Sequence, residues 1–200
     1  SLVVEKAPRL IAEHVGRLKD PDRARLEAAL RDAVLELNHQ IREESSQMTG
    51  VRRMGATVVM ALVRDDAVHV ANMGDSMAYL VRRDDVETLS RDHSVAGLLE
   101  RRGALTAEEA AHHPMRARLS RYVGMGGNAE PHVCTTSFRP GNVLLLCTDG
   151  LTSVIGEEKI GEIVCGEASV ERGCNALVDA ALKADSEDNV TVLVVRPAES

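Results

Sequence analysis

The sequence has few aromatic residues and no long apolar run. Phe, Tyr and Trp together make up 2% of its 200 residues, and Trp is absent. The core must therefore be built from Leu, Val, Ile, Ala and Met. No apolar stretch approaches the roughly 20 residues that a helix needs to span a bilayer, and the first residues show no signal-peptide pattern. These absences predict a cytoplasmic protein without a membrane segment.

Positive charge is also in short supply. The chain has 24 Lys and Arg residues against 31 Asp and Glu residues, which gives a net charge of −7. A nucleic-acid-binding protein normally presents a basic domain or a basic face. The charge balance therefore argues against nucleic acid as a partner.

The four cysteines do not form a metal-binding pattern. No Cys-x-x-Cys pair occurs, and no His follows at the spacing of a zinc site. Cys147 lies in an apolar run and Cys174 lies on an apolar helical stripe. We expect all four, which are Cys134, Cys147, Cys165 and Cys174, to be small buried hydrophobic residues in a reducing cytoplasm.

Apolar periodicity divides the chain into runs of helices and runs of strands. The helices are predicted at 1–18, 22–45, 94–112 (a pair), 157–165 and 170–183. The strands are predicted at 55–63, 66–73, 77–82, 132–137, 142–148 and 189–195. This order favours antiparallel sheets with segregated helices, an α+β fold, and the length fits one domain.

The connections follow from turn chemistry. Arg64-Asp65-Asp66 predicts a tight hairpin, and Gly74-Asp75-Ser76 and Arg139-Pro140-Gly141 predict turns. The polar residues 45–50 predict a loop. The Gly- and Pro-rich residues 113–131 form the longest irregular segment, and we interpret them as a mobile flap.

Three aspartates stand at the ends of apolar strands. Asp149 directly follows the run 143–148, Asp188 directly precedes the run 189–195, and Asp75 follows the run 68–70. A carboxylate there is costly to desolvate unless turn N–H groups, an ion pair or a bound cation offsets the cost. Hard divalent cations prefer oxygen ligands, so aspartates without His or Cys suit Mg²⁺ or Mn²⁺. The pattern predicts a metal site built from sheet ends.

Five short segments, in order, resemble the bacterial form of the metal-dependent protein phosphatase family, the protein phosphatase 2C-like enzymes. They are Gly55-Ala56-Thr57, Gly74-Asp75-Ser76, Arg91-Asp92-His93-Ser94, Asp149-Gly150-Leu151 and Asp188-Asn189-Val190-Thr191. Each alone is a common turn or strand start. The most specific parts are ANMGDSMAYLV, LLLCTDGL and DNVTVLVV.

The resemblance implies a four-layer α-β-β-α sandwich of two mainly antiparallel sheets flanked by helices. It implies a signalling enzyme that hydrolyses phosphoserine and phosphothreonine on proteins with two Mn²⁺ or Mg²⁺ ions and a third, weaker metal site. Asp149 and Asp188 match ligands of the two-metal centre, and Asp75 matches a ligand of the third ion. The implied partners are phosphorylated proteins and a cognate Ser/Thr kinase. Gly55, Thr57 and His93 match structural positions.

The sequence departs from the family pattern at its start. An early Glu-Asp pair, a phosphate-binding Arg and an Asp-Gly-(x)-Gly-Gly segment are absent, and residues 1–5 resemble the helix that follows them. We therefore expect residues 1–200 to be a single domain that is incomplete at its N-terminus. Met77 stands where Arg is usual, and Ser153 where some members have Asp.

Two functional hypotheses remain open. The first is a metal-dependent Ser/Thr phosphatase whose 200 residues, taken alone, lack a full ligand set for either ion. The alternative is a non-catalytic phosphatase-like regulatory or binding module. In the flap, Arg116, Arg118 and Arg121 either steer a phosphoprotein or are ordinary surface residues.

Overall fold

The computed structural model describes residues 2–48, 54–83 and 85–198. Within these ranges the helices are α1 (Leu2–Gly16), α2 (Arg23–Gln47), α3 (Val95–Arg101), α4 (Ala107–Ala111), α5 (Asp149–Thr152), α6 (Glu157–Gly166) and α7 (Val170–Lys183). The strands are β1 (Val58–Arg64), β2 (Ala67–Met73), β3 (Met77–Arg82), β4 (Asp85–Thr88), β5 (His132–Ser137), β6 (Val143–Cys147) and β7 (Val192–Val195).

Side-chain caps set the starts of several helices. α2 begins after Asp22, whose carboxylate accepts a hydrogen bond from the Arg25 N–H at 2.9 Å. Thr106 and Glu109 form a capping box at the start of α4. α2 continues to Gln47, so the loop predicted at 45–50 is wrong over its first residues. Residues 49 and 50 lie outside the described ranges.

Two short elements were not predicted, and one began later than expected. β4 carries alternate acidic side chains, which hide its strand pattern. α5 begins at Asp149, so this residue opens a helical turn instead of a simple strand-to-turn junction. β7 begins at Val192 and not at residue 189.

The strands form two antiparallel sheets. The first sheet has the order β1-β2-β5, and the second has the order β4-β3-β6-β7. The predicted hairpin joins β1 to β2, with Asp65 in the left-handed region at φ 51°. β2 and β3 belong to different sheets, so Gly74-Asp75-Ser76 crosses from one sheet to the other.

Three apolar clusters separate four layers, which confirms the predicted sandwich. α1 and α2 cover the outer face of the first sheet, where Leu30 and Leu37 pack against Met73. The two sheets meet through Val70 and Leu144. α6 and α7 cover the outer face of the second sheet, with Ile160 and Leu177 among the buried residues. Alternation along each strand sends neighbouring side chains into different layers.

One side of the sandwich is open. β1 packs across β6 and is an edge of the first sheet, while β7 is an edge of the second, among the described strands. Val63 pairs with the inward-facing Val68, and Leu193 pairs with the inward-facing Leu146. Val63 and Leu193 are nevertheless 47% and 50% exposed. The core between the sheets therefore reaches solvent along this side.

The cysteine prediction holds only in part. Cys147 is buried, Cys134 and Cys174 are half-buried, and Cys165 is exposed. Cys165 lies near the end of α6, and its Sγ donates to the Arg82 carbonyl at 3.6 Å while the residue stays exposed. Within the described residues, no helix combines the length and apolar character required to cross a bilayer.

Candidate metal centre

The register of the second sheet brings the three predicted aspartates to one end. Met77 of β3 pairs with Cys147 of β6, and Cys147 pairs with Val192 of β7. These three residues thus lie side by side across the sheet. Asp75 lies two residues before the first, Asp149 two residues after the second, and Asp188 four residues before the third. All three aspartates therefore lie near the same sheet end.

Thr148 fastens the Asp149 segment to the segment before β7. Its hydroxyl donates to the Asn189 carbonyl at 2.9 Å and accepts from the Thr191 N–H at 3.0 Å. Its own N–H donates to the Thr191 carbonyl at 3.1 Å. The three bonds fix the position of Asp149 relative to the chain that carries Asp188.

The Asp188 segment is held from its other side. The Ser186 hydroxyl donates to the Gly150 carbonyl at 2.7 Å. The Asn189 N–H donates to the Asp188 carboxylate at 2.6 Å, so one carboxylate oxygen is oriented by its own backbone. Asp188 is exposed, whereas Asp149 is half-buried. A ligand would therefore approach from the Asp188 side.

The Asp75 turn is held on both sides of the carboxylate. Gly74 has a φ of +128°, and a Cβ at this position would collide with the side chain of Thr57. The Thr57 and Ser76 hydroxyls share a hydrogen bond of 2.7 Å. The Gly74 N–H donates to Nδ1 of His93 at 3.2 Å. Asp75 is thus fixed by the bonds of its neighbours.

The three carboxylates repel one another. Burial, and then the charge of Asp149, raise the pKa of Asp75 to about 6, with smaller contributions from Asp92 and Asp188. Burial, and then the charge of Asp188, raise the pKa of Asp149. Within the described part of the chain, none of the three aspartates forms an ion pair. Among the described side chains, none offsets this negative charge by an ion pair.

The aspartates are the type of ligand that a hard divalent cation prefers, but too few of them lie close together to complete its coordination. Carboxylate and carbonyl oxygens are the ligands that Mg²⁺ and Mn²⁺ prefer. Across residues 2–48, 54–83 and 85–198, however, no three His, Cys, Asp or Glu side chains lie close enough together to hold one ion. Asp75, Asp149 and Asp188 are near enough to feel each other's charge, but they supply only part of a complete ligand set.

The three flap arginines have different surroundings. Arg118 is exposed and lines an open groove of about 540 Å³ between residues 55–57 and 117–122. Arg116 donates to the Ala111 carbonyl at 3.4 Å, and Arg121 donates to the Glu130 carbonyl at 3.1 Å. Thr57 belongs to the groove and to the Asp75 turn. Arg118 is therefore the flap arginine that borders a cleft beside the carboxylates.

The segment 113–131 is irregular, as predicted, but two β-bridges help to anchor it. Ala56 and Val123 form a bridge, and so do Ser94 and Leu119. Its mobility stays a prediction.

Several residues of the site were not singled out from the sequence. Asp92 acts on the pKa of both Asp75 and Asp149, while its carboxylate accepts hydrogen bonds from Ser94. Thr148 and Ser186 matter through backbone bonds across the sheet end. The signal for Asp92 was its place in the Arg91-Asp92-His93-Ser94 segment. The hydrogen-bond partners of Thr148 and Ser186 are known only from the folded structure.

Two family models match successive parts of the chain. Residues 5–102 match the family model of Protein phosphatase 2C, and residues 103–198 match that of Stage II sporulation protein E (SpoIIE). The serine/threonine phosphatase Stp of Listeria welshimeri is 33% identical over 170 residues, which are 85% of this chain and 68% of that protein.

Solved structures agree with this match. Serine/threonine phosphatase Stp1 from Staphylococcus aureus superposes with a TM-score of 0.86 at 28% identity, over 98% of this chain and 77% of that one. The catalytic domain of the serine threonine protein phosphatase PstP, in complex with two manganese ions, superposes with a TM-score of 0.69 at 28% identity, over 95% of this chain and 80% of that one.

The two packed sheets, the helical outer layers and the aspartates at one sheet end define a metal-dependent phosphatase of the sandwich type. The chain belongs to the protein phosphatase 2C family. It is a serine/threonine protein phosphatase whose relatives named above are bacterial.

Proposed function

We propose that Asp149 and Asp188 are ligands of a two-metal centre and that Asp75 binds a third, weaker ion, with Mn²⁺ or Mg²⁺ as the metal. The reaction is hydrolysis of phosphoserine and phosphothreonine on proteins. The observation that carries the proposal is the row of Met77, Cys147 and Val192, which brings all three aspartates to one end of the second sheet.

The electrostatics of the site supports a cation there. The pKa of Asp75 and that of Asp149 are raised by burial and by the other carboxylates. A bound divalent cation would stabilise the ionised forms, and it supplies Lewis-acid activation of water and of the phosphoryl oxygens. Without it, the same negative charges would repel a phosphate monoester.

The chain's own residues position the ligands and border the substrate site. Thr148 and Ser186 hold the Asp149 and Asp188 segments together through backbone bonds. Arg118 faces the groove beside the Asp75 turn and is placed to meet a phosphate or an acidic side chain. We propose that Arg116 and Arg121, which donate to backbone carbonyls, contribute less.

We further propose phosphorylated proteins as substrates, with a cognate Ser/Thr kinase acting on the same sites, in the cytoplasm. The phosphatase names of the Listeria and Staphylococcus relatives support the substrate class. All four cysteines are free thiols, which agrees with a reducing compartment.

The 200 residues form one phosphatase domain in this proposal, incomplete at its N-terminal side. Both halves matched by the family models contribute to the second sheet, since β3 and β4 come from the first and β6 and β7 from the second. Further oxygen ligands would come from the part of the relatives that this chain does not match. The competing function, a non-catalytic binding module, is favoured by the lack of a three-ligand cluster among the described residues.

Metal titration separates the two functions. Mn²⁺ binding to the chain is measured by electron paramagnetic resonance, for the parent protein and for the variants Asp149→Asn and Asp188→Asn. We expect each variant to weaken binding by about tenfold or more, because each removes a charged oxygen ligand. Glu162→Gln on the exposed face of α6 is the matched control and should bind as the parent does.

Activity is tested with the natural gene product that contains residues 1–200, assayed on a phosphothreonine peptide with Mn²⁺. Asp149→Asn should abolish turnover while the protein stays folded. An inactive parent protein in this assay would contradict the catalytic proposal and support the binding module.

A further inference from the structure

We infer that His93 is a positioning residue for the Asp75 carboxylate, and that it works through two hydrogen bonds to Gly74. The inference rests on the proposed role of Asp75 as a metal ligand. His93 is not proposed as a metal ligand. Its ring binds the backbone of the turn, where Nδ1 accepts the Gly74 N–H.

The two bonds form a reciprocal pair. The backbone N–H of His93 donates to the Gly74 carbonyl at 2.9 Å, and the backbone N–H of Gly74 donates to Nδ1 of the His93 ring at 3.2 Å. Both backbone groups of Gly74 are therefore bound by one residue. The φ of +128° at Gly74 is accessible to glycine and rarely adopted by other residues, so the shape of the turn depends on Gly74 and on the bonds that hold it.

The His93 ring binds the turn through Nδ1, whereas its other nitrogen, Nε2, has no hydrogen-bond partner among the described residues. Since Nδ1 accepts a hydrogen bond, the neutral ring carries its proton on Nε2. His93 has no exposed surface, and among the described residues Nε2 has no hydrogen-bond partner. A buried donor without a hydrogen-bond partner is destabilising. An apolar residue would avoid that cost, so the bond to Gly74 is the useful contact of this ring.

The surroundings of His93 keep its ring neutral, which is the form in which Nδ1 accepts a hydrogen bond. Burial, and then the nearby charge of Arg121, lower the pKa of His93 to about 4. The ring is therefore neutral near pH 7, and Nδ1 is free to accept the Gly74 N–H.

His93 also joins the turn to the flap. Its carbonyl accepts the Ser120 N–H and the Ser120 hydroxyl, both at 2.7 Å, and the Arg121 N–H at 3.3 Å. His93 thus holds the Asp75 turn through its ring and its backbone N–H, and it holds Ser120 and Arg121 of the flap through its carbonyl. A shift of His93 would move the carboxylate relative to the flap.

The test uses Mn²⁺ titration of the 200-residue chain. His93→Leu removes the acceptor, and we expect it to weaken Mn²⁺ binding by about tenfold, the usual effect of losing a residue that orients a metal ligand. His93→Asn places its Oδ1 near the position of Nδ1 and should restore most of the affinity. Equal binding by His93→Leu and the parent, or equal weakness of both variants, overturns the inference.

A second buried histidine is the matched control. His69 is 3% exposed, and its Nδ1 is hydrogen-bonded to Thr135 at 2.8 Å on the face of the first sheet that meets α2. His69→Leu should lower the stability and leave Mn²⁺ affinity unchanged. A loss of affinity in this variant as large as that of His93→Leu would show that any buried histidine has the same effect, against the inference.

Asp75→Asn separates this inference from the proposed function. If Asp75→Asn weakens Mn²⁺ binding and His93→Leu does not, only the role of His93 is wrong. If Asp75→Asn binds as the parent does, the metal role of Asp75 fails, and the role of His93 fails with it.

Nuclear magnetic resonance of the parent chain tests the geometry without any variant. A long-range ¹H–¹⁵N spectrum should place the proton of the His93 ring on Nε2, and the Gly74 amide should be protected from hydrogen exchange. A proton on Nδ1 overturns the inference even if every His93 variant fails to fold.

Discussion

The Cα hydrogen of Gly150 faces the carbonyl oxygen of Asn189 so closely that a Cβ on Gly150 would lie 2.5 Å from that oxygen. The contact brings the residue after Asp149 against the residue after Asp188. Both aspartates are therefore placed by one backbone approach, which only a residue without a side chain permits.

Gly150→Ala should lower the free energy of unfolding by about 1–3 kcal/mol, because backbone must move to admit the methyl group. It should also weaken Mn²⁺ binding by separating Asp149 from Asp188. Denaturant unfolding and Mn²⁺ titration measure the two effects. Gly173 of α7 is the matched control, because a Cβ there meets nothing within 4 Å. Gly173→Ala should be neutral or stabilising, and a loss at Gly173 equal to that at Gly150 would contradict the close-approach argument.

Acid should destabilise the metal-free chain through two histidines. Burial is the main cause that lowers the pKa of His93 and of His132 to about 4, from 6.5. Between these pH values the unfolded chain binds more protons at the two histidines, so the stability that they contribute falls as the pH is lowered from about 6.5 to about 4. Asp75 has the opposite effect in part of this range, because its pKa is raised to about 6 and protonation there favours the folded chain. For the fully buried His93 the loss is on the order of 3 kcal/mol.

Denaturant unfolding across this pH range measures the slope. His132→Gln should make the dependence shallower, because one of the two groups is removed. His112→Gln, at an exposed position after α4, is the control. The two histidines would not be the cause if His132→Gln kept the full pH slope of the parent chain.

The open side of the sandwich should make the 200-residue chain self-associate. Leu193 on the edge strand β7 is 50% exposed, and an unpaired edge with apolar side chains favours pairing with another strand. Leu193→Lys should raise the dissociation constant of the dimer by about tenfold, measured by analytical ultracentrifugation.

Leu182 gives a sharp control for this surface. It is 60% exposed but lies on the helix α7, so its side chain is not part of a strand edge. Leu182→Lys should leave the association unchanged. A parent chain that stays monomeric at all concentrations tested, with a sharp thermal transition, would contradict the prediction.

Arg118 should contribute to binding of a phosphopeptide and Arg116 should not. Arg118 lines the groove beside the Asp75 turn, whereas Arg116 donates to the Ala111 carbonyl. Arg118→Ala should weaken peptide binding by about tenfold, consistent with the loss of one charge-assisted hydrogen bond. Fluorescence anisotropy of a labelled phosphothreonine peptide with Mn²⁺ measures both variants. Equal effects at the two positions would place the peptide elsewhere.

Local patterns were sufficient for most elements. The helix α7 was predicted with its observed bounds, because the apolar stripe that includes Cys174 and Leu177 follows helical spacing. β4 was missed because its acidic side chains and four-residue length give no alternation to detect. The exposed Cys165 was misassigned because composition alone does not tell which thiols the fold covers.

The candidate site could be predicted as residues but not as an arrangement. Asp75, Asp149 and Asp188 were identified because each is a carboxylate at the end of an apolar run. The hydroxyl of Thr148 and the ring of His93 act on backbone groups 41 and 19 residues away. No local pattern reports such contacts.

The resemblance to the phosphatase family implied the layer order. The sequence by itself determined most of the helices, most of the strands and the carboxylates at the strand ends. These depend on periodicity and turn chemistry, which act between residues close in the chain. Only the tertiary structure decided that the Asp75 turn crosses between the sheets, that Gly150 meets Asn189, and that His93 holds Gly74. Those relationships depend on strand register and on close backbone approach, which are fixed only when both sheets pack together.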